Sequence, residues 1–327
     1  MALPAILENR LRLPVVASPM FIVSNPDLVI AQCTSGIVGS FPSLNARPQA
    51  QLCEWLTRIT EALAKYDANN PEAPSAPFAV NLIVHKSNDR LEQDLATIVE
   101  FEVPIVITSL GAREDVNAAI HSYGGIVLHD IINDKFAHKA VEKGADGLIA
   151  VSAGAGGHAG TQSPFALIQE IRRWFDGPLL LSGSIAHGRS ILAARAAGAD
   201  LAYIGSAFIA TEEANAADAY KQMIVDSGAS DIVYSNLFTG VHGNYLRGSI
   251  SAAGLDPDNL AVSDPSAMDF GTGEGDGESA KSDAKAWRDI WGAGHGVGAV
   301  QAVVPTADLV ERLTAEYAAA RAALLGA

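Results

Sequence analysis

Eight short apolar runs, each followed by an amphipathic stretch, limit what this chain can fold into more than any other feature. The runs occupy residues 14–18, 37–41, 78–84, 104–108, 126–129, 147–151, 178–182 and 201–205. They are apolar on both parities, as strands buried on both faces of a parallel sheet are; a sheet with one wet face would alternate. Helical patterns fill the gaps at 26–35, 48–65, 89–100, 113–122, 134–143, 164–175 and 188–197. Several open at Pro, Asn, Asp or Ser and close near Gly, the usual start and stop signals. Eight βα units in succession predict an α/β fold, a (β/α)8 TIM barrel. A doubly wound sheet is the alternative; the count of units and the turns after the last two strands favour the barrel.

The pattern changes after Ala210. Residues 212–295 hold polar helical stretches, a turn-rich TGVHGN segment and the Gly/acid-rich GTGEGDGES at 271–279. This predicts a barrel built from 1–211 and 296–327, with 212–295 inserted as a mainly helical substrate or lid subdomain. GTGEGDGES reads as a solvated loop. The last segment, 305–325, predicts an amphipathic helix. Thr306 stands where a cap belongs, and Leu309, Val310, Leu313 and Tyr317 share the face that returns to the barrel wall.

Composition narrows the function. Hydrophobic residues make up 49% of the 327, which supports a large core and excludes a disordered chain. Lys and Arg number 22 against 37 Asp and Glu, a net charge of −15 that repels nucleic-acid backbones and anionic lipid alike. Cys33 and Cys53 cannot build a disulfide framework and suit a reducing compartment. No leader-like h-region opens the chain, and no apolar run reaches the ~18 residues of a membrane span. The expected location is the cytoplasm, and the expected partners are small molecules rather than nucleic acid or membrane.

In a barrel, chemistry collects where strands end. The seventh run leads into Ser182, Gly183, Ser184 and Ile185, and the eighth into Gly205, Ser206 and Ala207. Gly lets a backbone N–H approach an anion, Ser adds a donor, and the following helix adds positive potential, so the pair predicts a phosphate cradle. The sixth run leads into a Gly/Ala loop, Ser152 to Thr161, carrying His158, a titratable group suited to act as base or hydrogen-bond donor. Gly154, Gly156 and Ala159 loosely match a dinucleotide fingerprint, but no acid follows the next strand to hold a ribose. The first run leads into Ala17, Ser18, Pro19 and Met20, a turn that could support an aromatic ring or simply pack. Asn81 interrupts an apolar strand and needs partners, in the barrel or in a ligand. His129 and Asp130 end the fifth run. With His158 they could make a metal site, but the Gly-rich surroundings suit an organic ligand better, so no metal is expected. His242 and His295 sit in turn-rich segments with no assigned role.

ASPM, VNL, GAGGHAG, SGSI and IGSAF, in this order, resemble the nitronate monooxygenase family, formerly called 2-nitropropane dioxygenases, over roughly residues 14–211. WGAGHGVG resembles that family's late Gly-rich loop. The resemblance implies an FMN-binding barrel, an architecture shared with flavin-dependent enoyl-thioester reductases and NAD(P)H:quinone reductases. It implies that Ala17, Ser18, Pro19 and Met20 line the flavin ring. It further implies that Asn81 and Gly157 approach the flavin, that Ser182, Gly183, Ser184, Gly205 and Ser206 hold its phosphate, and that His158 is catalytic. The implied reaction oxidises an alkyl nitronate or nitroalkane with O2 to a carbonyl compound and nitrite. The chain departs from the family where Val151 to Ala155 replace a Gln-Gly-x-Glu-Ala run, at Ser184 where many members carry Gly, and at Asp130 where some carry Lys.

Overall fold

In the computed structural model, which describes residues 3–263 and 289–326, all eight predicted strands form. They are β1 (Val15–Ala17), β2 (Gly39–Pro42), β3 (Phe78–Ile83), β4 (Ile105–Ser109), β5 (Ile126–Ile131), β6 (Gly147–Val151) and, after a two-residue β7 (Gly157–His158), β8 (Leu179–Ser182) and β9 (Leu201–Ile204). Parallel pairing runs β1-β9-β8-β6-β5-β4-β3-β2. A parallel bridge between Val16 and Val38 joins the two ends, with the Ala17 N–H donating to Val38 O at 2.8 Å. The sheet is therefore a closed barrel with no exposed edge.

Seven helices follow the strands as the sequence predicts: α1 (Pro26–Thr34), α2 (Gln51–Asn69), α3 (Leu91–Glu100), α4 (Glu114–His121), α5 (Asp134–Glu142), α6 (Pro164–Arg172) and α7 (Gly188–Ala197). Asn25 caps α1 by accepting the Leu28 N–H at 2.8 Å, and Asn133 caps α5 from the Phe136 N–H at 2.9 Å. The α2 helix starts at Gln51 rather than Pro48, because Pro48 and Gln49 carbonyls are spent on a tight turn. A short α8 (Ser206–Ile209) follows β9.

The barrel interior is filled by Val16, Val38, Ala79, Ile105, Ile107, Leu128, Ile149, Leu180 and Leu201. Side chains two apart on a strand share a face. Two positions beyond Val16, Val38, Ala79, Ile107, Leu128, Ile149, Leu180 and Leu201 stand Ser18, Ser40, Asn81, Ser109, Asp130, Val151, Ser182 and Tyr203. Seven of these eight are polar. The inward face thus switches from sealed hydrocarbon to a polar floor within one residue pair per strand, at the end where the βα turns lie.

Beyond α8 come α9 (Asp218–Asp226), β10 (Ile232–Ser235), β11 (Gly243–Leu246) and α10 (Arg247–Ala252). Besides helices, this region supplies an antiparallel ribbon, and β11 pairs with β7. GTGEGDGES falls outside the described residues. The final helix, α11 (Thr306–Leu325), packs Leu309, Val310 and Leu313 into the core beside α7 and α1. Thr306 does not cap it. It is the first helical residue, and its hydroxyl and N–H both donate to the Glu213 carboxylate, at 2.7 and 2.9 Å. Among the described residues no helix is long and apolar enough to cross a membrane.

Glu213 is therefore the cap of α11, placed by the segment after α8 rather than by the helix's own flank. An anion at a helix N-terminus with two donors is worth ~1–2 kcal/mol. Glu213→Ala should lower the melting temperature by roughly 2–6 °C, and a melt that matches wild type would remove Glu213 from this role.

Candidate active site

A cavity of about 1820 Å³ opens above the polar floor, within the ring of βα turns. Eleven predicted residues meet on its wall: Ser18, Pro19, Met20, Asn81, Gly157, His158, Ser182, Gly183, Ser184, Gly205 and Ser206. Ala17 is the exception. It is fully buried, its N–H is spent on Val38, and its carbonyl accepts the Ser40 hydroxyl, so the barrel consumes the backbone contacts that a ring would need.

Three Gly-rich segments interlock around the upper wall. Gly154 O accepts N–H groups from Ser184 at 3.2 Å and His295 at 3.0 Å, while Ser206 Oγ accepts the Gly294 N–H at 2.8 Å. A Cβ on Gly156 would lie 2.8 Å from Gly294 N. Gly183, at φ +135°, leaves no room either: a Cβ there would lie 2.5 Å from Ser152 Oγ and 2.8 Å from Ala153 O. Most of these glycines serve the approach of loop to loop. Gly157 differs. At φ +65° it has nothing within 4 Å of where a Cβ would stand, so its open side faces the cavity. His295 contributes through its backbone, and its ring is exposed.

The floor carries a directed network. Asn81 Nδ2 donates to Ile107 O at 2.9 Å and to Ser109 Oγ at 2.7 Å, and Ser109 Oγ donates to Asp130 Oδ2 at 2.6 Å. Burial pushes the Asp130 carboxyl up to about 6, against the smaller opposing effect of the Ser109 hydrogen bond. Burial, then the Asp130 charge, raise the Tyr203 phenol well above its ordinary value. His129 has the opposite parity on β5. Its Nδ1 lies 2.6 Å from Thr108 Oγ1, and burial first, then Lys139, lower it to about 4. Opposite parity explains why His129 and Asp130 do not converge with His158. Among the described residues no group of three His, Cys, Asp or Glu could hold a metal ion.

His158 is held by a sheet rather than a free loop. It pairs with Gly243, and Gly157 with Asn244. Asn244 Nδ2 donates to Ala155 O at 2.6 Å, and Ala159 N–H to His242 O at 3.2 Å. These bonds offset the backbone entropy of so much glycine. His158 Nε2 lies 3.0 Å from Thr239 Oγ1, which donates to Val241 O at 3.0 Å. Desolvation lowers His158 to about 4, so it is neutral at pH 7. Tyr234 stacks on His242, and Tyr220 on Trp291, adding aromatic walls from the chain after α8. Thr239, Ser109 and Tyr203 were not found from the sequence. The i+2 spacing from the apolar interior could have found Ser109 and Tyr203; no local pattern marks Thr239.

A family model described as nitronate monooxygenase matches residues 6–316. A nitronate monooxygenase of Paraburkholderia phytofirmans is 25% identical over 347 aligned residues, covering 93% of this chain and 92% of its own. A (3aS,4S,5R,7aS)-5-hydroxy-7a-methyl-1-oxo-octahydro-1H-indene-4-carboxyl-CoA dehydrogenase of Rhodococcus jostii is 25% identical over 254 residues, 73% of this chain and 68% of its own. Among solved structures, a nitroalkane oxidase from Streptomyces ansochromogenes matches with TM-score 0.78 at 24% identity, over 98% of this chain and all of that one. FabK from Thermotoga maritima matches with TM-score 0.76 at 21% identity, over 98% and 97%. The two structures share the fold.

The Asp130 carboxyl sets a testable sign. Its folded-state value, about 6, lies above the ordinary carboxylate value, so the fold prefers the neutral form. The ionised form costs stability above pH 6, on the order of 1–3 kcal/mol, and that cost fades as pH falls from 6 to below 4. Asp130→Asn should therefore raise the melting temperature at pH 8 and do so much less at pH 4.5. Melts at both values, with flavin content matched, check this; an equal gain at both would mean that the charge is not what destabilises the floor.

Proposed function

The chain belongs to the nitronate monooxygenase family, and from that premise we propose that it is an FMN-dependent nitronate monooxygenase, oxidising alkyl nitronates with O2 to a carbonyl compound and nitrite. It is a flavin-dependent oxidoreductase, as the family's members are. The residues present fit a flavin. The cavity exceeds the ~300–1,000 Å³ of an ordinary small-molecule site, Gly157 leaves one backbone face open, and Asn81 Oδ1 has no hydrogen-bond partner among the described residues. Ser184 and Ser206 would hold the phosphate with their hydroxyls, with Ser182, Gly183 and Gly205 shaping the cradle. Ser18, Pro19 and Met20 would flank the ring. Bound there, FMN supplies the electron transfer and oxygen chemistry that side chains lack. We read residues 212–295 as the substrate-side wall over a barrel of 1–211 and 296–327. The unpaired Cys33 and Cys53 support a cytoplasmic location.

The observation that carries the reading is a neutral imidazole on the cavity wall. At pH 7 His158 has one N–H and one lone pair. The Thr239 hydroxyl proton goes to Val241 O, so the N–H sits on Nε2 and donates to Thr239 Oγ1, with the lone pair on Nδ1. The lone pair can take the α-proton of a neutral nitroalkane, but a base lowered to about 4 takes it poorly. The site therefore favours the pre-ionised nitronate.

The size of the cavity favours a second reading, an NAD(P)H-dependent reductase of quinones or enoyl thioesters. Anaerobic mixing with NADH and NADPH separates the two: rapid flavin bleaching supports the reductase.

Two outcomes test the main reading. Flavin released by denaturation should be FMN; FAD overturns the single-phosphate cradle. His158→Asn should keep the flavin and slow its anaerobic reduction by neutral nitroalkane by ~10²-fold or more, and by ionised nitronate less. Rates equal to wild type with both substrates would make His158 structural.

A further inference from the structure

The polar floor contains more than a flavin contact. Ile107 O can only accept, so the Asn81 atom 2.9 Å from it is the amide nitrogen, and the side-chain flip is fixed. The same nitrogen lies 2.7 Å from Ser109 Oγ. Both amide hydrogens are then committed, one to each oxygen. Ser109 Oγ, having accepted from Asn81, sends its only proton to Asp130 Oδ2 at 2.6 Å. The chain runs one way, from amide to hydroxyl to carboxyl, and leaves Asn81 Oδ1 facing the cavity.

Fold stability does not account for a carboxyl at the end of this chain. Asp130 Oδ1 is buried with no hydrogen-bond partner among the described residues, which is costly. Among the described residues, the one hydrogen bond that the carboxyl makes is the one from Ser109. Without an acceptor at residue 130, the Ser109 hydroxyl could rotate, and Asn81 would keep only its Ile107 anchor.

We propose that Ser109 and Asp130 are positioning residues that lock Asn81 with its Oδ1 turned into the cavity, as a fixed acceptor for the one ring N–H of an oxidised flavin. The inference rests on the flavin reading above. It assigns the floor the task of discriminating the ring by its hydrogen-bond pattern, separately from the phosphate cradle.

The test compares FMN with N3-methyl-FMN, which lacks that N–H, by fluorescence titration of the flavin-free protein. Wild type should bind FMN about tenfold more tightly than the methylated analogue, the worth of one well-placed hydrogen bond. In Ser109→Ala and Asp130→Leu the preference should fall below about threefold. Asp130→Asn keeps an acceptor for Ser109 and should keep the preference. A merely structural floor would weaken both flavins together and leave the ratio unchanged. The inference is overturned if wild type binds both flavins equally, if the ratio in Ser109→Ala matches wild type, or if Asp130→Asn loses the preference. Should Asp130→Leu fail to fold, Ser109→Ala decides alone. A wild-type protein that binds neither flavin defeats the flavin reading instead.

Discussion

Closure of the barrel between Val16 and Val38 is the constraint on which the site depends. Once the eight strands form a ring, every inward side chain at a given height meets the others, whatever its distance along the chain. Asn81, Ser109, Asp130 and Tyr203 come from four strands and become one floor. An open sheet would splay them, and Asp130 would sit against solvent with an ordinary carboxyl. The hydrocarbon layer beneath matters equally. Val38, Ile107, Leu128, Leu180 and their neighbours exclude water from below, and that exclusion displaces the Asp130 carboxyl from its usual range.

The upper wall follows a different logic. The turns after β6 and β8, the start of α8 and the late Gly-rich segment bond one another, through the Gly154 backbone carbonyl and the Ser206 hydroxyl. Such contacts demand glycine because a Cβ would occupy the space of the neighbouring chain. The ribbon of β10 and β11 then turns the β7 segment into a sheet strand, so His158 is positioned with the rigidity of a strand although it follows a flexible sequence. The chain after α8 thereby carries two mechanical duties. It fixes His158 from one side, and through Glu213 it caps the helix that closes the barrel from the other.

Strands and helices were legible because their signals are local. Both-parity apolar runs, Asn and Pro at helix starts and Gly at stops all act within a few residues. The cavity residues were legible where a motif stands directly at a strand end, as Ser182 to Ser184 and Gly205 to Ser206 do. What could not be read was set by long-range geometry. The exclusion of Ala17 depends on a hydroxyl from Ser40 on the neighbouring strand. The true cap of α11 lies 93 residues before it, and Thr239 meets His158 across 81 residues. The pinning of β7 by β11 depends on pairing that no spacing announces. The glycines of the β6 turn read as room for a ligand, whereas all but Gly157 among those on the cavity wall are occupied by a neighbouring segment.

Three titratable groups on the cavity wall, His158, His129 and Asp130, share one condition: each is displaced toward its neutral form. His158 and His129 are lowered to about 4 and Asp130 is raised to about 6, with burial the leading cause in all three. A chain of net charge −15 thus presents, at its cavity, walls nearly free of fixed charge apart from Arg47, Lys139 and Asp289, together with an Asp130 poised close to neutrality. Long-range repulsion of an anion by the acidic surface is screened within about 8 Å at physiological ionic strength. Inside, the wall offers serine hydroxyls and neutral imidazoles rather than a field of carboxylates.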